Sequence, residues 1–345
     1  MEKRFKNGFI TGKMMPFHKG HQYLIDTAVK QCEQVYVLVS YTKYDPLPGE
    51  LRLKAVEEHY QNQPQVVVEG VDSSSYPQYD HECMNKDSFY FIWNEIIQTF
   101  IPHIDAVFTS EEYGDDFAYY LSQIYGPVEH VLVDLERTQI PISGTQLREN
   151  YDPQYVPLAM RKKLVKKVAI VGPEASGKTT LAKNLAKIYQ EPWVKEYGRL
   201  YFEERELNLK SRQKENFSLH DISHIAAGQI TDEDQQLEQA QRVLICDTEL
   251  ITTQIWSEIY FEQCPPWIEQ ESYRRTYDLY FLMDIDFDWV DDGTREFPDK
   301  REWHFECLKE ELEKRKLNYK LISGSVTERL IQGKKWIDDL IYKEK

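Results

Sequence analysis

The stretch Gly172-Pro-Glu174-Ala175-Ser176-Gly177-Lys178-Thr179-Thr180 constrains this chain more than any other. It follows the apolar run Val168-Ala-Ile-Val171 and leads into Leu181-Ala-Lys-Asn-Leu-Ala-Lys-Ile188, whose spacing is that of a helix. Strand, glycine turn and helix in that order are the context in which G-x-x-x-x-G-K-[ST] acts as a phosphate-binding loop. The glycines Gly172 and Gly177 let the backbone curl until successive N–H groups converge on phosphate oxygens, and the new helix adds its positive end. Lys178 then reaches the outer phosphates of a nucleotide such as ATP, with Glu174, Ala175, Ser176 and Thr180 around them, and the Thr179 hydroxyl is placed to hold Mg²⁺. The plain alternative, an ordinary glycine turn before a helix, does not require both flanks to be right. The motif lies near the middle of a chain of 345 residues, more than one average domain, so a large unit precedes it.

Composition narrows the partners. The formal net charge is −16, the opposite of the basic face that neutralises nucleic-acid phosphates, and no nucleic-acid partner is expected. A polyanionic nucleotide must then find positive potential locally, from amides, histidines and a few Arg or Lys. Five cysteines are scattered without a C-x-x-C pair, which fits reduced thiols and offers no metal or redox motif. The N-terminus lacks an apolar h-region and no run is long enough to cross a bilayer, so a soluble, cytoplasmic protein without a membrane span is expected. Nothing in the sequence excludes a homo-oligomer.

The first half alternates strand-like and helix-like segments, and the spacing predicts helices over 19–32, 50–61, 89–99 and 115–124. Between them lie the apolar runs Val35–Val39, Val66–Val68, Ala106–Thr109 and Val131–Val133, with a long polar loop from Val71 to Asp87. Repeated units of this kind imply a parallel sheet covered by helices on both faces. Chemistry concentrates at the first strand-to-helix turn, Gly12-Lys13-Met14-Met-Pro-Phe-His18-Lys-Gly-His21. Two histidines three apart, where a helix begins, can bind a triphosphate and stabilise charge developing on its α-phosphate. A zinc site would want further Cys or His partners, and none is evident. The segment Ile142-Ser143-Gly-Thr145-Gln-Leu-Arg148 supplies hydroxyls at a helix start and an arginine one turn later that can clamp outer phosphates; simple N-capping is its alternative. Ser110 and Tyr113 sit after a strand end, where open α/β sheets bind ligands. Trp93 divides evenly between core packing and stacking on an aromatic substrate ring.

In the second half, Trp193-Val-Lys-Glu196-Tyr197-Gly-Arg199 reads as a strand end entering a helix, and a long helix spans 219–241. His220 and His224 share one face of it without a third ligand in view, which argues against a metal site. The apolar run Val243–Cys246 ends in Asp247, the usual source of a carboxylate that holds Mg²⁺ opposite a phosphate loop. After the strand Tyr280–Met283, the loop Trp289-Val-Asp-Asp-Gly-Thr-Arg295 can close over ATP and place an arginine on the transferring phosphoryl group, or serve only as surface. Ser325 and Glu328 have capping-box spacing before a final helix. No N-K-x-D element follows a strand, so a small-molecule kinase is favoured over a GTPase.

Paired in one β/α unit, His18-x-Gly-His21 and Ile142-Ser-x-Thr-x-x-Arg148 resemble the H-x-G-H adenylyltransferase superfamily, with Met14 where that motif usually has Phe. Such a unit followed directly by a phosphate-loop kinase resembles the NadR family of bifunctional NAD-biosynthesis enzymes. Glu196-Tyr-Gly-Arg199, Asp247-Thr-Glu-Leu-Ile-Thr-Thr-Gln254 and Trp289–Arg295 are similar to that family's kinase segments. The resemblance covers essentially the whole chain and implies an α/β architecture of two domains. Residues 1–157 would be a Rossmann-like nucleotidyltransferase and 158–345 a P-loop kinase. It implies that the second domain phosphorylates nicotinamide riboside at its 5′-hydroxyl, using ATP and Mg²⁺. The first would then join the nicotinamide mononucleotide to AMP from a second ATP, giving NAD and pyrophosphate. Carried over, His18, His21 and Arg148 are catalytic in the first domain, with Gly12, Lys13, Met14, Ser143 and Thr145 on ATP and Trp93, Ser110 and Tyr113 on substrate. In the second, Lys178, Asp247 and Glu196 are catalytic, Thr179 and Asp247 hold the metal, Arg295 joins the ATP site, and Tyr197 and Arg199 face the riboside. Whether Glu196 or Asp247 takes the hydroxyl proton is left open. Some members begin with a helix-turn-helix repressor domain; this chain reaches its first motif within about a dozen residues, too few for one, so a repressor role is not expected. Another nucleoside or vitamin acceptor, or a nucleotide-sensing regulator, remain the alternatives.

Overall fold

The computed structural model describes residues 3–75, 86–204, 217–286 and 300–342, arranged as two compact units, Met1–Lys163 and Leu164–Lys345. The loop expected to carry Arg295 lies outside the described residues.

The N-terminal unit runs β1 (Phe5–Gly12), α1 (Lys19–Gln31), β2 (Cys32–Tyr41), α2 (Gly49–Tyr60), β3 (Val66–Asp72), α3 (Lys86–Phe100), β4 (Ala106–Thr109), α4 (Gly114–Tyr125), β5 (Glu129–Leu132), α5 (Gly144–Glu149) and α6 (Leu158–Leu164). Its five strands are parallel in the order β3-β2-β1-β4-β5. The order reverses between β1 and β4, so the crevice beyond their C-terminal ends is the natural ligand position. Two of the sequence-predicted motifs meet that crevice: the turn after β1 and the segment after β4. Phe9, Leu38 and Val107 from three strands pack against Trp93, Ile97 and Phe117 from α3 and α4 in one core.

The C-terminal unit runs β6 (Lys166–Val171), α7 (Lys178–Tyr189), β7 (Trp193–Val194), α8 (Tyr197–Glu204), α9 (Leu219–Gln239), β8 (Val243–Asp247), α10 (Leu250–Phe261), α11 (Pro266–Arg274), β9 (Leu279–Met283), α12 (Arg301–Lys314), β10 (Tyr319–Ile322) and α13 (Val326–Tyr342). Its strands are also all parallel, in the order β10-β9-β6-β8-β7. Successive residues of β6 enter opposite cores. Ala169 and Val171 pack with Leu244, Tyr280 and Leu308, whereas Val168 and Ile170 pack with Leu185, Phe281 and Ile337. Burial on both faces explains why these strands are apolar without alternation. The capping box at Ser325 and Glu328 forms as expected, with the Ser325 N–H and Oγ on Glu328 Oε2 at 2.8 and 2.7 Å. Helices α10, α11 and α12 had no expectation from the sequence.

At the C-terminal edge of this sheet one buried cation ties three loops together. Arg329 of α13, 2% exposed, donates from Nη1 to the Ser176 carbonyl at 2.6 Å. Its Nε reaches the Gly324 carbonyl at 2.8 Å, and Nη2 reaches the Asp284 carbonyl at 3.1 Å and the Asp286 carboxylate. Removing it strands a carboxylate partner and several carbonyls. Arg329→Met should therefore cost the C-terminal unit about 3 kcal/mol. Six of the seven tryptophans follow residue 164, so the urea midpoint read by tryptophan fluorescence should fall; an unchanged midpoint would refute this.

Candidate active sites

The turn after β1 is built on imidazoles. His18, 4% exposed, is the N-cap of α1, and its Nδ1 accepts the Gly20 N–H at 3.1 Å. His21 Nδ1 reaches back to the His18 N–H at 3.3 Å, and the two rings stack with centroids 3.7 Å apart. This is a capping box with histidines in the roles usually held by Ser and Glu. A Cβ at Gly20 would lie 2.9 Å from the His18 ring, which is why the motif needs glycine there. Burial, then the Arg137 guanidinium, hold His18 down to about 4. Burial, His18 and Arg137 hold His21 well below its ordinary value. Both rings are therefore neutral at pH 7, a correction to the expectation that histidines add positive charge. With Nδ1 accepting in each, the ring protons sit on Nε2, as donors.

The cations around this turn are arginines, two of which the sequence did not single out. Arg137 donates to the Ile142 carbonyl at 2.8 Å and to Glu111 Oε1 at 2.9 Å. Arg52, fully buried, donates to the Lys13 carbonyl and to Asp45 Oδ2, the latter at 2.6 Å. Arg148 behaves differently from the expected clamp: its Nη1 holds the Met15 carbonyl at 2.6 Å and its Nη2 the Thr145 hydroxyl at 3.0 Å. It thereby closes the Ser143 segment onto the β1 turn. Gly144 permits that approach, since a Cβ there would lie 2.7 Å from the Met15 carbonyl. Ser143 caps α5, accepting the Gln146 N–H at 3.2 Å, which is the plain reading of that residue. Gly12 ends β1, Lys13 lies 3.4 Å from Asp45, and Met14 is buried at a φ of 49°. Ser110 follows β4 and the partly exposed Tyr113 starts α4. Trp93 is 7% exposed and part of the hydrophobic core of its unit.

The second site is a cavity of about 280 Å³ at the C-terminal ends of β6 and β8. Its polar end is lined by Glu174 to Thr180, Glu196, Gly198 and Arg199. The loop has the curled form its glycines allow, with φ of 156° at Gly172, 56° at Ala175 and 82° at Gly177, where α7 begins. Lys178 Nζ and Ser176 Oγ both donate to the Pro173 carbonyl, at 2.9 and 2.7 Å. Thr179 Oγ1 donates to Asp247 Oδ2 at 2.6 Å, and Asp247 Oδ1, fully buried, has no partner among the described residues. Burial and the Glu196 carboxylate push Asp247 up to about 7, against the pull of Lys178. A threonine hydroxyl beside a carboxylate with an orphaned oxygen is a donor set that suits Mg²⁺. Among the described residues no cluster of three His, Cys, Asp or Glu could hold a metal, and His220 and His224 stay a ring pair 4.6 Å apart.

Sequence reasoning missed the other end of the cavity: Phe202, Phe217, Ile222, Ile225, Trp256 and Tyr260 form an apolar wall. It also missed Gln229, 3% exposed, whose Oε1 accepts the Tyr197 N–H at 2.9 Å. The legible signal was a glutamine in the helical stripe Ile222, Ile225, Gln229. Tyr197 itself does not line the cavity. Its ring lies over Gly228, where a Cβ would come within 2.1 Å of it, so only its backbone serves the site.

Comparison with known proteins agrees with both halves. The citrate lyase ligase C-terminal domain model matches residues 9–88, and the AAA domain model matches residues 167–329. The chain is 29% identical over 313 residues to the trifunctional NAD biosynthesis/regulator protein NadR of Salmonella typhimurium, covering 85% of this chain and 72% of that protein. A crystal structure of a NadR protein in complex with NR matches at a TM-score of 0.70 and 20% identity, covering 100% of this chain and 99% of the other. One in complex with NAD and AMP-PNP matches at 0.69 and 21%, covering 100% and 98%. With two parallel α/β folds, a histidine cap in one and a phosphate loop in the other, the chain is similar to the NadR proteins in sequence and in fold.

Proposed function

We propose that this chain is a bifunctional enzyme of NAD biosynthesis. The C-terminal unit, Leu164–Lys345, phosphorylates nicotinamide riboside at its 5′-hydroxyl with ATP. The N-terminal unit, Met1–Lys163, transfers AMP from a second ATP to the mononucleotide, giving NAD and pyrophosphate. The observation that carries this reading is the presence of two unlike phosphate cradles in one chain similar to the NadR proteins. One is the neutral, stacked His18/His21 cap, and the other is the loop with Thr179 on Asp247. The ligands named for the two related crystal structures, NR in one and NAD with AMP-PNP in the other, fit that pair of reactions.

In the C-terminal unit the amides of Gly177 and Lys178 and the Lys178 ammonium hold the β- and γ-phosphates. The 5′-hydroxyl oxygen attacks the γ-phosphorus as the bond to ADP breaks, and its proton passes to a carboxylate. Glu196 lines the cavity whereas Asp247 does not, which favours Glu196 for that role. Asp247 and Thr179 would hold Mg²⁺, which when bound neutralises charge on the β- and γ-oxygens. The apolar wall from Phe202 to Tyr260 suits the flat nicotinamide ring. In the N-terminal unit a phosphate oxygen of the mononucleotide attacks the α-phosphorus and pyrophosphate leaves. The Nε2–H donors of His18 and His21 meet the charge that develops, with Arg137 and Arg148 supplying positive potential.

With riboside and ATP the protein should form NAD. Lys178→Ala should abolish that while still converting the mononucleotide, and His18→Ala should halt at the mononucleotide. Glu196→Gln should lower kinase kcat by about 10²-fold or more and leave adenylyl transfer intact. If Lys178→Ala abolished use of the mononucleotide as well, the two-site assignment would be wrong.

The histidine pair also predicts a pH dependence. His18 titrates at about 4 when folded, against about 6.5 in an unfolded chain. Between those values the unfolded state binds more protons, so stability is lost as pH falls through that window. For His18 alone the loss should reach about 2 kcal/mol by pH 5. His18→Gln should flatten urea-derived stability between pH 7 and 5. An inflection in adenylyl-transfer kcat near pH 6.5 that vanished in His18→Gln would refute the neutral pair.

A further inference from the structure

Gln229 has an orientation that the rest of its surroundings dictate. Its carboxamide is buried, and the Tyr197 N–H at 2.9 Å can be satisfied only by an acceptor, so Oε1 faces α8. The amide NH₂ is thereby turned the other way. Nε2 is buried and has no hydrogen-bond partner among the described residues, although Gln229 lines the cavity. A buried donor pair left unmatched is costly, and native structures seldom keep one without a use. Its place along α9 narrows that use. Ile222 and Ile225 precede it on the same stripe and belong to the apolar wall, whereas Gln229 lies one turn farther along. There it is bonded to the residue that follows Glu196. Gln229 therefore stands where the apolar wall gives way to the polar end of the cavity.

We propose that Gln229 is a specificity-determining contact of the C-terminal site, its Nε2 donating to the oxygen of a 2′- or 3′-hydroxyl on the ribose of the acceptor nucleoside. This rests on the nucleoside-kinase reading above. A hydroxyl suits the position because it accepts from a neutral amide and still has a proton to donate toward a carboxylate such as Glu196. The sugar thus becomes the part of the acceptor that the polar half of the cavity measures, while the apolar wall takes the ring.

The test measures kcat and KM for nicotinamide riboside and for its 2′-deoxy and 3′-deoxy analogues in the wild type, Gln229→Glu and Gln229→Met. Gln229→Glu keeps an acceptor for the Tyr197 N–H and removes the donor; Gln229→Met removes both without adding charge. Both should raise the riboside KM about threefold to tenfold, with the ATP KM changed less than about twofold. For one of the two deoxy analogues the wild type and both variants should be equal, because the lost partner is already missing. Equal losses on all three substrates, or a parallel rise in the ATP KM, would assign Gln229 to structure and overturn the proposal. A wild type that fails to phosphorylate the riboside at all would instead overturn the nucleoside-kinase reading, and the contact with it.

Discussion

Unsatisfied backbone N–H groups at the start of a helix are what both halves of this chain are arranged around. A parallel sheet delivers every strand end to the same edge and starts every crossover helix there, so helix N-termini collect beside strand C-termini. At α1 the free amides of the first turn are met by imidazole nitrogens; at α7 they are left to an anion by a loop whose residues curl through positive φ. The same backbone need thus yields two chemically different cradles. The histidine cap places neutral N–H donors beside the helix start, whereas the phosphate loop offers bare amides and a lysine.

These cradles hold their shape because arginines, Arg52 and Arg329 buried and Arg148 exposed, grip their carbonyls from behind. Arg52 takes the Lys13 carbonyl and Arg148 the Met15 carbonyl, on either side of the left-handed Met14. Arg329 takes the Ser176 carbonyl together with those of Asp284 and Gly324. A guanidinium suits this role because it carries five fixed donors and stays charged when buried. Turning the carbonyls toward protein cations leaves the N–H side of the same peptides for phosphate. A chain of net charge −16 therefore makes its positive potential from oriented amides, Lys178 and a few arginines, with the histidines contributing donors and no charge.

The parts legible in the sequence share one property: they are decided within a few consecutive residues. The turn from Gly12 to His21, the loop from Gly172 to Thr180, the strand ending in Asp247 and the box at Ser325 and Glu328 all depend on neighbours in the chain. Where a role depended on what another element brings, the reading divided. Trp93 had two environments open to it, and α3 packed it into the core. Tyr197 was grouped with Glu196 and Arg199 by proximity in sequence, yet Gly228 of α9 draws its ring away from the cavity and leaves only its N–H to the site.

The sequence by itself determined the two parallel α/β units, the phosphate loop, the histidine cap and the order in which they occur, because short-range backbone and capping requirements admit few residue types. Only the tertiary structure decided which distant groups complete the sites. Arg137, from the loop after β5, bears on His18 and His21, Arg329 reaches Ser176 across 153 positions, and Gln229 lines the cavity with its oxygen held by the Tyr197 N–H. Hydrogen bonds between elements follow from sheet order and helix packing, which no local spacing encodes.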